Sequence, residues 1–527
     1  MRSAALAAAM VTMLCGGLVT AQQPAPAPSP TRGRQVTAAQ VVEDAVTALG
    51  GRARILAVRT LTIEGYGKNP NIGQAMTPEA EPLFWMLPDY KRSIDLENGR
   101  MELSFTRRPA FPAVFDNARQ AQRLDGDVAY NPPGAGGAGR AGGPATAPPT
   151  PPPTPARLAP ETVRDRRVDM LQHPLALLRA ALDPAARAEN LRVTPQGRRV
   201  DVVTAQGDRL TLAVDSRSRP VSVTTAVYHP NLGDTTRVTT FDSYENLDGV
   251  RLPKRFVTSL DKWTEYEIGV MKNTLDAELD LAAPAATRSA LPPAPAVPVV
   301  VSTPLAPGIW FLTGGGASNM VVEFADHVAI VEAPSEARLL AVLAKARELI
   351  PGKPVTQVIL SHHHFDHSAG VRAAVAEGLT IITHRSNEAW FREAVRRTHT
   401  IVADALAKTP KTLKIVPVDD TYTIKDASME LRVHHLVGST HGDGIVAVYF
   451  PAQRIYAEPD VWNPGSQINP HVRSLAEDIA RRQLQIDRVV PLHGNQVQPF
   501  AEFEKIVAEW GGRRTTTTTY VAPGGQR

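Results

Sequence analysis

The sequence predicts an α+β protein in two parts. An N-terminal region is dominated by an antiparallel sheet, and in the C-terminal region strands alternate with helices. Three observations predict this. Residues 198–275 alternate apolar and polar side chains over short runs such as Leu210–Val214, Val221–Val227, Thr236–Phe241 and Thr264–Val270, with turn signals such as Asp248-Gly249 between them. From residue 299 onward the pattern becomes strand followed by amphipathic helix. Residues 281–298 between the two parts are rich in Ala and Pro, the composition of a semi-rigid linker.

The elements follow in chain order. Arg2, the apolar run Ala4–Val19 and the small residues Val19-Thr20-Ala21 read as an export leader over residues 1–21, since the run is short for a membrane span and a polar, Pro-rich segment follows it; an uncleaved N-terminal anchor is the competing reading. The expectation is a bacterial periplasmic or secreted protein with no stable span in the mature chain. Cys15 is the sole cysteine and falls in the leader, so the mature chain offers neither a disulfide nor a thiolate ligand. Residues 22–35 are Pro-rich and polar, and are expected to be a disordered linker. The N-terminal domain is expected over residues 36–280. It opens with a helix in which Thr37 and Gln40 have capping-box spacing, Val41, Val42, Ala45, Val46 and Leu49 share a face, and Gly50-Gly51 is the stop. Strands are predicted at Val58–Ile63 and Arg100–Arg107, and a helix at Leu171–Leu182. Residues 131–155 are nearly all Gly, Ala, Pro and Thr, cannot bury a core, and are expected to be a disordered insertion.

The C-terminal domain is expected over residues 299–511, followed by a disordered tail over 512–527. Gly308–Thr313 and Met320–Phe324 form a predicted hairpin around Gly314-Gly315-Gly316. Val328–Val331 is a strand, Ser335–Leu349 an amphipathic helix, and Val355–Leu360 a strand. That last strand runs into Ser361-His362-His363-His364-Phe365-Asp366-His367. Imidazole nitrogens and a carboxylate oxygen at this density are the donor set zinc and related borderline cations take. A loop just past a buried strand is rigid at its root and open at its tip, as a catalytic site requires. His363 alternates in direction with its neighbours and is expected to point away. His434 and His435 are expected to be packing or surface residues, and His327, in the Ala325-Asp326-His327 turn, is expected to be exposed.

The run from His362 to His367 resembles the HxHxDH signature of the metallo-β-lactamase superfamily. Gly438-Ser439-Thr440-His441 is similar to its third histidine motif, Glu458-Pro459-Asp460 to its bridging carboxylate segment, and Val490-Pro491-Leu492-His493-Gly494 to its closing histidine motif. The resemblance covers residues 299–511 and implies a four-layer αββα sandwich with two metals at one edge. It implies that His362, His364 and His441 hold the first metal, that Asp366, His367 and His493 hold the second, and that Asp460 bridges them. Many family members have Gly-Asp at the bridging segment, so Glu458 is a second candidate for the bridge. Glu332 stands where many carry Asp, and is expected to support the ligands. The implied cofactor is two Zn2+, with iron or manganese as the other cations such donors admit. Asp366 is the candidate catalytic residue, orienting a metal-bound hydroxide and passing its proton on. By its position in the family fold the Gly314–Met320 loop, with Asn319 as a donor, is a candidate substrate loop; a plain hairpin turn is the competing reading. Ser439 and Thr440 have no base implied beyond the metal ligands. The N-terminal half, with its helix–strand order and the run Tyr244–Pro253, loosely resembles periplasmic lipoprotein-carrier domains; a sheet that only packs on its neighbour is the competing reading.

The function this implies is an exported metal-dependent hydrolase acting on a small ester, lactone, thioester or related acyl compound. Three alternatives stand beside it: a β-lactamase of the cysteine-free type, a mononuclear iron sulfur dioxygenase, and an envelope lipid-binding protein with a vestigial hydrolase domain. The partner is a small-molecule substrate. With 57 basic against 53 acidic residues, a net charge of +4 gives no argument for nucleic acid. The sequence is silent on oligomeric state.

Overall fold

The computed structural model describes residues 36–111, 117–134, 154–294, 297–462 and 470–512. The leader, the 22–35 segment, most of the 131–155 insertion and nearly all of the tail lie outside the described residues. From Ala38 onward the described chain belongs to one compact unit.

Alternation of apolar and polar side chains puts one face of each N-terminal strand in a core, and the result is a single antiparallel sheet of twelve strands. One wing runs from Thr60–Pro70 through Phe84–Asp95, Arg100–Pro109 and Ala118–Asp125 to Val128–Tyr130. The other begins with Trp263–Leu275, paired to the free edge of Thr60–Pro70. It continues in reverse chain order through Val250–Leu260, Gly233–Leu247, Pro220–His229, Arg209–Val214 and Gly197–Val203 to Arg187–Thr194. The helix Ala38–Leu49 buries the five expected residues against this sheet. The predicted helix Leu171–Leu182 is instead two helices, Pro160–Leu171 and Pro174–Ala181. Proline has no N–H and disfavours helical backbone in the residue before it, so His173 turns extended and caps the second helix by accepting from the Leu175 N–H at 3.3 Å.

The C-terminal region is a four-layer sandwich. A seven-stranded sheet runs from Val301–Ala306 to Lys414–Val418 in chain order, and a six-stranded sheet runs from Thr421–Lys425 to Gln498–Pro499. Phe311, Met320, Val322, Ile359 and Ile382 of the first meet Leu431, Val433, Val448, Ala457 and Val490 of the second in a buried inter-sheet core. The helices Glu336–Leu349, Val371–Glu377 and Glu388–Arg396 cover the outer face of the first sheet. Pro470–Arg482 and Phe500–Gly512 cover the second. Ser335 caps the first of these helices, accepting from the Arg338 N–H at 3.2 Å. Among the described residues no helix is long and apolar enough to cross a membrane.

The hairpin ends at one side of the N-terminal sheet pack on the sandwich. Leu232 and Leu260 are buried in the same cluster as Val371, Trp390, Phe391 and Ala394. Asp234 accepts from the N–H groups of Thr400 at 2.6 Å and Ile401 at 3.0 Å. Arg397 donates to the Leu232 carbonyl at 3.1 Å and to Asp261 at 2.7 Å. Replacing a fully buried leucine by alanine removes apolar contact and leaves a cavity, at a cost of about 2–5 kcal/mol. Leu232→Ala is therefore expected to lower the urea midpoint of unfolding by a corresponding amount. An unchanged midpoint would mean that this hairpin tip is not part of the core.

Candidate metal centre

The ligand candidates sit just past the ends of strands that the two sheets bring to one edge. Glu332 follows Val328–Val331, and His362 follows the parallel neighbour Val355–Ile359. In the other sheet Asp460 follows Ile455–Glu458, and His493 follows its parallel neighbour Arg488–Pro491. The two sheets are tied near the site by the Val446 N–H to the Ser361 carbonyl at 2.9 Å, and by the Ser318 hydroxyl to the Gly494 carbonyl at 2.6 Å. Asp460 and Glu332 both hold left-handed backbone, with φ of 55° and 74°. For non-glycine residues this conformation costs of order 1–3 kcal/mol and tends to occur where a side chain must be aimed.

Seven side chains fall into two groups of donors. His362, His364, His441 and Asp460 form one, and Asp366, His367 and His493 the other. Within each group the donor atoms lie within 4.8 Å of one another. Asp460 lies between them. Its Oδ2 is 2.7 Å from His367 Nε2, 3.3 Å from His441 Nε2 and 3.6 Å from His362 Nε2, while its Oδ1 is 3.6 Å from His493 Nδ1. Asp366 Oδ2 is 3.2 Å from His493 Nε2.

Outer atoms of His362 and His364 are hydrogen-bonded, and that of His367 faces a carboxylate at ion-pair distance without a well-aligned hydrogen bond. Ser361 Oγ is 2.9 Å from His362 Nδ1, and Glu332 Oε1 is 3.3 Å from His367 Nδ1. The Ala75 carbonyl is 2.9 Å from His364 Nε2. Such partners fix ring orientation and tautomer in metal sites. The inward atoms look different. His362 Nε2 and His367 Nε2 are fully buried and make no well-aligned hydrogen bond among the described residues. His364 Nδ1 and His441 Nε2 stand 3.0 Å apart, a separation that suits two donors on one cation at about 2.0–2.1 Å. Buried imidazole nitrogens and carboxylate oxygens converging on one another, with no thiolate among them, fit a borderline divalent cation.

Electrostatics divide the donors: His362 and His364 are pushed down, while carboxylate neighbours raise His367 and His493 in the metal-free site. Burial, together with the neighbouring imidazoles, pushes His362 and His364 well below the usual imidazole range, so both are neutral at pH 7 and present lone pairs. Burial would also lower His367, but the Asp460 and Glu332 carboxylates outweigh it and raise that group. Burial would raise Asp460, yet His367 and His441 hold it well below the usual carboxylate range. Asp366 is likewise held low, against burial, by its contact with His493 and the charge of His367.

The remaining sequence candidates separate by their surroundings. Glu458 is buried with Oε2 accepting from the N–H groups of Val461 at 2.8 Å and Trp462 at 3.1 Å, which shapes the turn that presents Asp460. His363 turns away into a small apolar cavity beside Gly73, Pro78, Trp263, Phe365 and Trp390, and burial pushes it down to about 4. His434 is buried in packing, and His435 is half-buried, stacked on His384 at 3.9 Å between ring centres. His327 is half-buried rather than exposed, because it stacks on Phe324 at 4.6 Å and meets Gln357 at 2.7 Å. Asn319 is not a substrate donor. It is fully buried, donating to the Val331 and Glu332 carbonyls at 3.3 and 2.8 Å and accepting from Arg338 at 2.9 Å, so it braces the strand that carries Glu332.

Three residues at the site had no sequence signal. Gln74 and Ala75, from the N-terminal domain, contact Asp366 and His364. His471 Nδ1 is 2.7 Å from Thr440 Oγ1, a partner that the spacing of the motifs does not reveal, and its ring lies 5.3 Å from that of His441.

Residues 312–457 match the metallo-beta-lactamase superfamily. The chain carries a metallo-β-lactamase-superfamily domain. Solved structures similar to it include a metallo-beta-lactamase from Pontibacter korlensis at 15% identity, covering 41% of this chain and 100% of that one with a TM-score of 0.31. Others are a metallo-beta-lactamase from Hirschia baltica (16% identity, 40% and 96% covered, TM-score 0.31) and the DIM-1 metallo-beta-lactamase (16%, 40% and 97%, 0.30). No curated protein matches the chain.

The two carboxylates near the bridge have different surroundings, and variants should separate them. Asp460→Asn is expected to lower the metal bound by the purified protein by about one equivalent per chain. Glu458→Gln, which keeps an acceptor for Val461 and Trp462, is expected to leave metal content unchanged. Elemental mass spectrometry after gel filtration reads both; loss of metal in Glu458→Gln alone would reverse the assignment.

Proposed function

We propose that the protein is an exported hydrolase that holds two divalent cations, zinc by its donor set, and cleaves a small ester, lactone, thioester or related acyl compound. The observation that carries this reading is the convergence of two donor groups on Asp460 at the edge of the superfamily domain. His362, His364 and His441 would hold one cation, Asp366, His367 and His493 the other, and Asp460 would touch both. Bound there, the cations would polarise an acyl oxygen and acidify a water to a pKa of about 7.

The chain's own groups do the rest. His362 and His367 are fully buried, which keeps solvent from the inner side of the site and strengthens every charge interaction in it. Asp366 is the carboxylate at the open side, with 46% of its side chain exposed. Gln74 holds one of its oxygens and the other faces His493, so Asp366 can take the proton of the attacking water and return it to the leaving group. Export rests on the leader-like residues 1–21 and the absence of cysteine after them.

Removing a ligand should cost more than the roughly 10–100-fold typical of removing a ligand's outer partner. His362→Ala and His441→Ala are each expected to lower hydrolysis of an aryl ester or lactone by more than about a hundred-fold. A chelator should abolish the parent activity and added zinc should restore it. Hydrolysis that persists through both the chelator and His441→Ala would contradict the reading.

A further inference from the structure

Thr60–Pro70 and Phe84–Asp95 form an antiparallel hairpin whose last pair is Pro70 with Phe84. The Asn71 N–H closes it on the Leu83 carbonyl at 2.7 Å. Hairpin connections usually span about two to five residues, and long ones in a compact domain are usually functional or disordered. This connection runs from residue 71 to residue 83 and its backbone is held by the loops that carry the metal ligands.

Four consecutive residues make that contact. The Gly73 carbonyl accepts from the Phe365 N–H at 3.3 Å, and the Met76 carbonyl accepts from the Asp443 N–H at 2.8 Å. Between them, Gln74 Nε2 donates to Asp366 Oδ1 at 2.7 Å, and the Ala75 carbonyl accepts from His364 Nε2 at 2.9 Å. The hairpin end is thus fastened to the HxHxDH loop and to the loop after His441 at once. Gly73 has φ of 80°, and a Cβ there would lie 2.4 Å from the Phe365 ring, so the approach admits only glycine.

The direction of each bond carries information. A carbonyl can only accept, so Ala75 requires the His364 proton on Nε2 and leaves the Nδ1 lone pair facing the site. The Gln74 amide occupies Oδ1 of Asp366 and leaves Oδ2 toward His493. We propose that residues 73–76 of the N-terminal domain are a structural part of the metal centre, in which Ala75 sets the tautomer of His364 and Gln74 is a positioning residue for Asp366. This rests on the metallohydrolase reading above, and it gives the N-terminal sheet a role in that reaction: it supplies outer partners to one ligand of each metal position.

The test uses the full-length chain with Gln74→Met, which keeps side-chain length without an N–H, beside Gln74→Ala. Zinc affinity is read by competition with a chromophoric chelator, geometry by the visible spectrum of the cobalt-loaded protein, and stability by the melting temperature of the metal-free protein. Both variants are expected to weaken one of two zinc equivalents by about ten-fold or more and to shift the cobalt bands, with metal-free melting unchanged. Parent affinity and parent cobalt bands in Gln74→Met would overturn the positioning role while leaving the hydrolase reading standing. So would a loss confined to metal-free melting, the mark of a purely packing role. A parent protein that takes up no divalent metal would overturn both.

Discussion

Asp460 sets the terms for the rest of the molecule. A carboxylate taken out of water has a steep desolvation cost unless positive charge and hydrogen bonds surround it. Here it is almost wholly buried, within 3.6 Å of four imidazoles, on backbone held in the left-handed region. That arrangement requires the ends of both sheets to meet at one edge, because His362 and His367 come from one sheet's side and His441, Asp460 and His493 from the other's. It also requires Glu458, buried behind it, to hold the Val461 and Trp462 N–H groups that form the turn. The left-handed turn at Asp460 and the ion pairs at the site answer the same demand.

The N-terminal sheet is bound to this demand rather than appended to it. Its hairpin ends bury Leu232 and Leu260 among the helices of the sandwich, and its longest hairpin connection reaches the ligand loops. A rigid sheet is a suitable carrier for such contacts, since paired strands on both sides limit how far a connection can drift. The domain therefore contributes to the site through backbone and amide groups, while the chemistry-bearing side chains all come from the sandwich.

Much of this was legible in the sequence. The histidine and aspartate motifs carry distinct residue types at fixed spacing, and all seven donors assemble in two groups. The alternating runs of residues 198–275 are strands of one antiparallel sheet, as period-2 patterning requires. Other features were hidden for identifiable reasons. Periodicity carried the helix Leu171–Leu182 through Pro174, where the backbone rule for proline prevails. Asn319 and His327 have the composition of loop residues, and only tertiary packing shows that one braces a strand and the other stacks on Phe324. The contacts of Gln74 and Ala75 span about 290 residues, and one of them is made by a carbonyl, which every residue possesses and no sequence pattern marks.

In the proposed hydrolase two cations sit on either side of Asp460. Anomalous diffraction at the zinc edge, from crystals of the full-length protein loaded with zinc, tests it most directly. Two peaks are expected, one among His362, His364 and His441 and the other among Asp366, His367 and His493, with the Asp460 carboxylate between them. A single peak away from Asp460, or zinc bound only outside these residues, would contradict it.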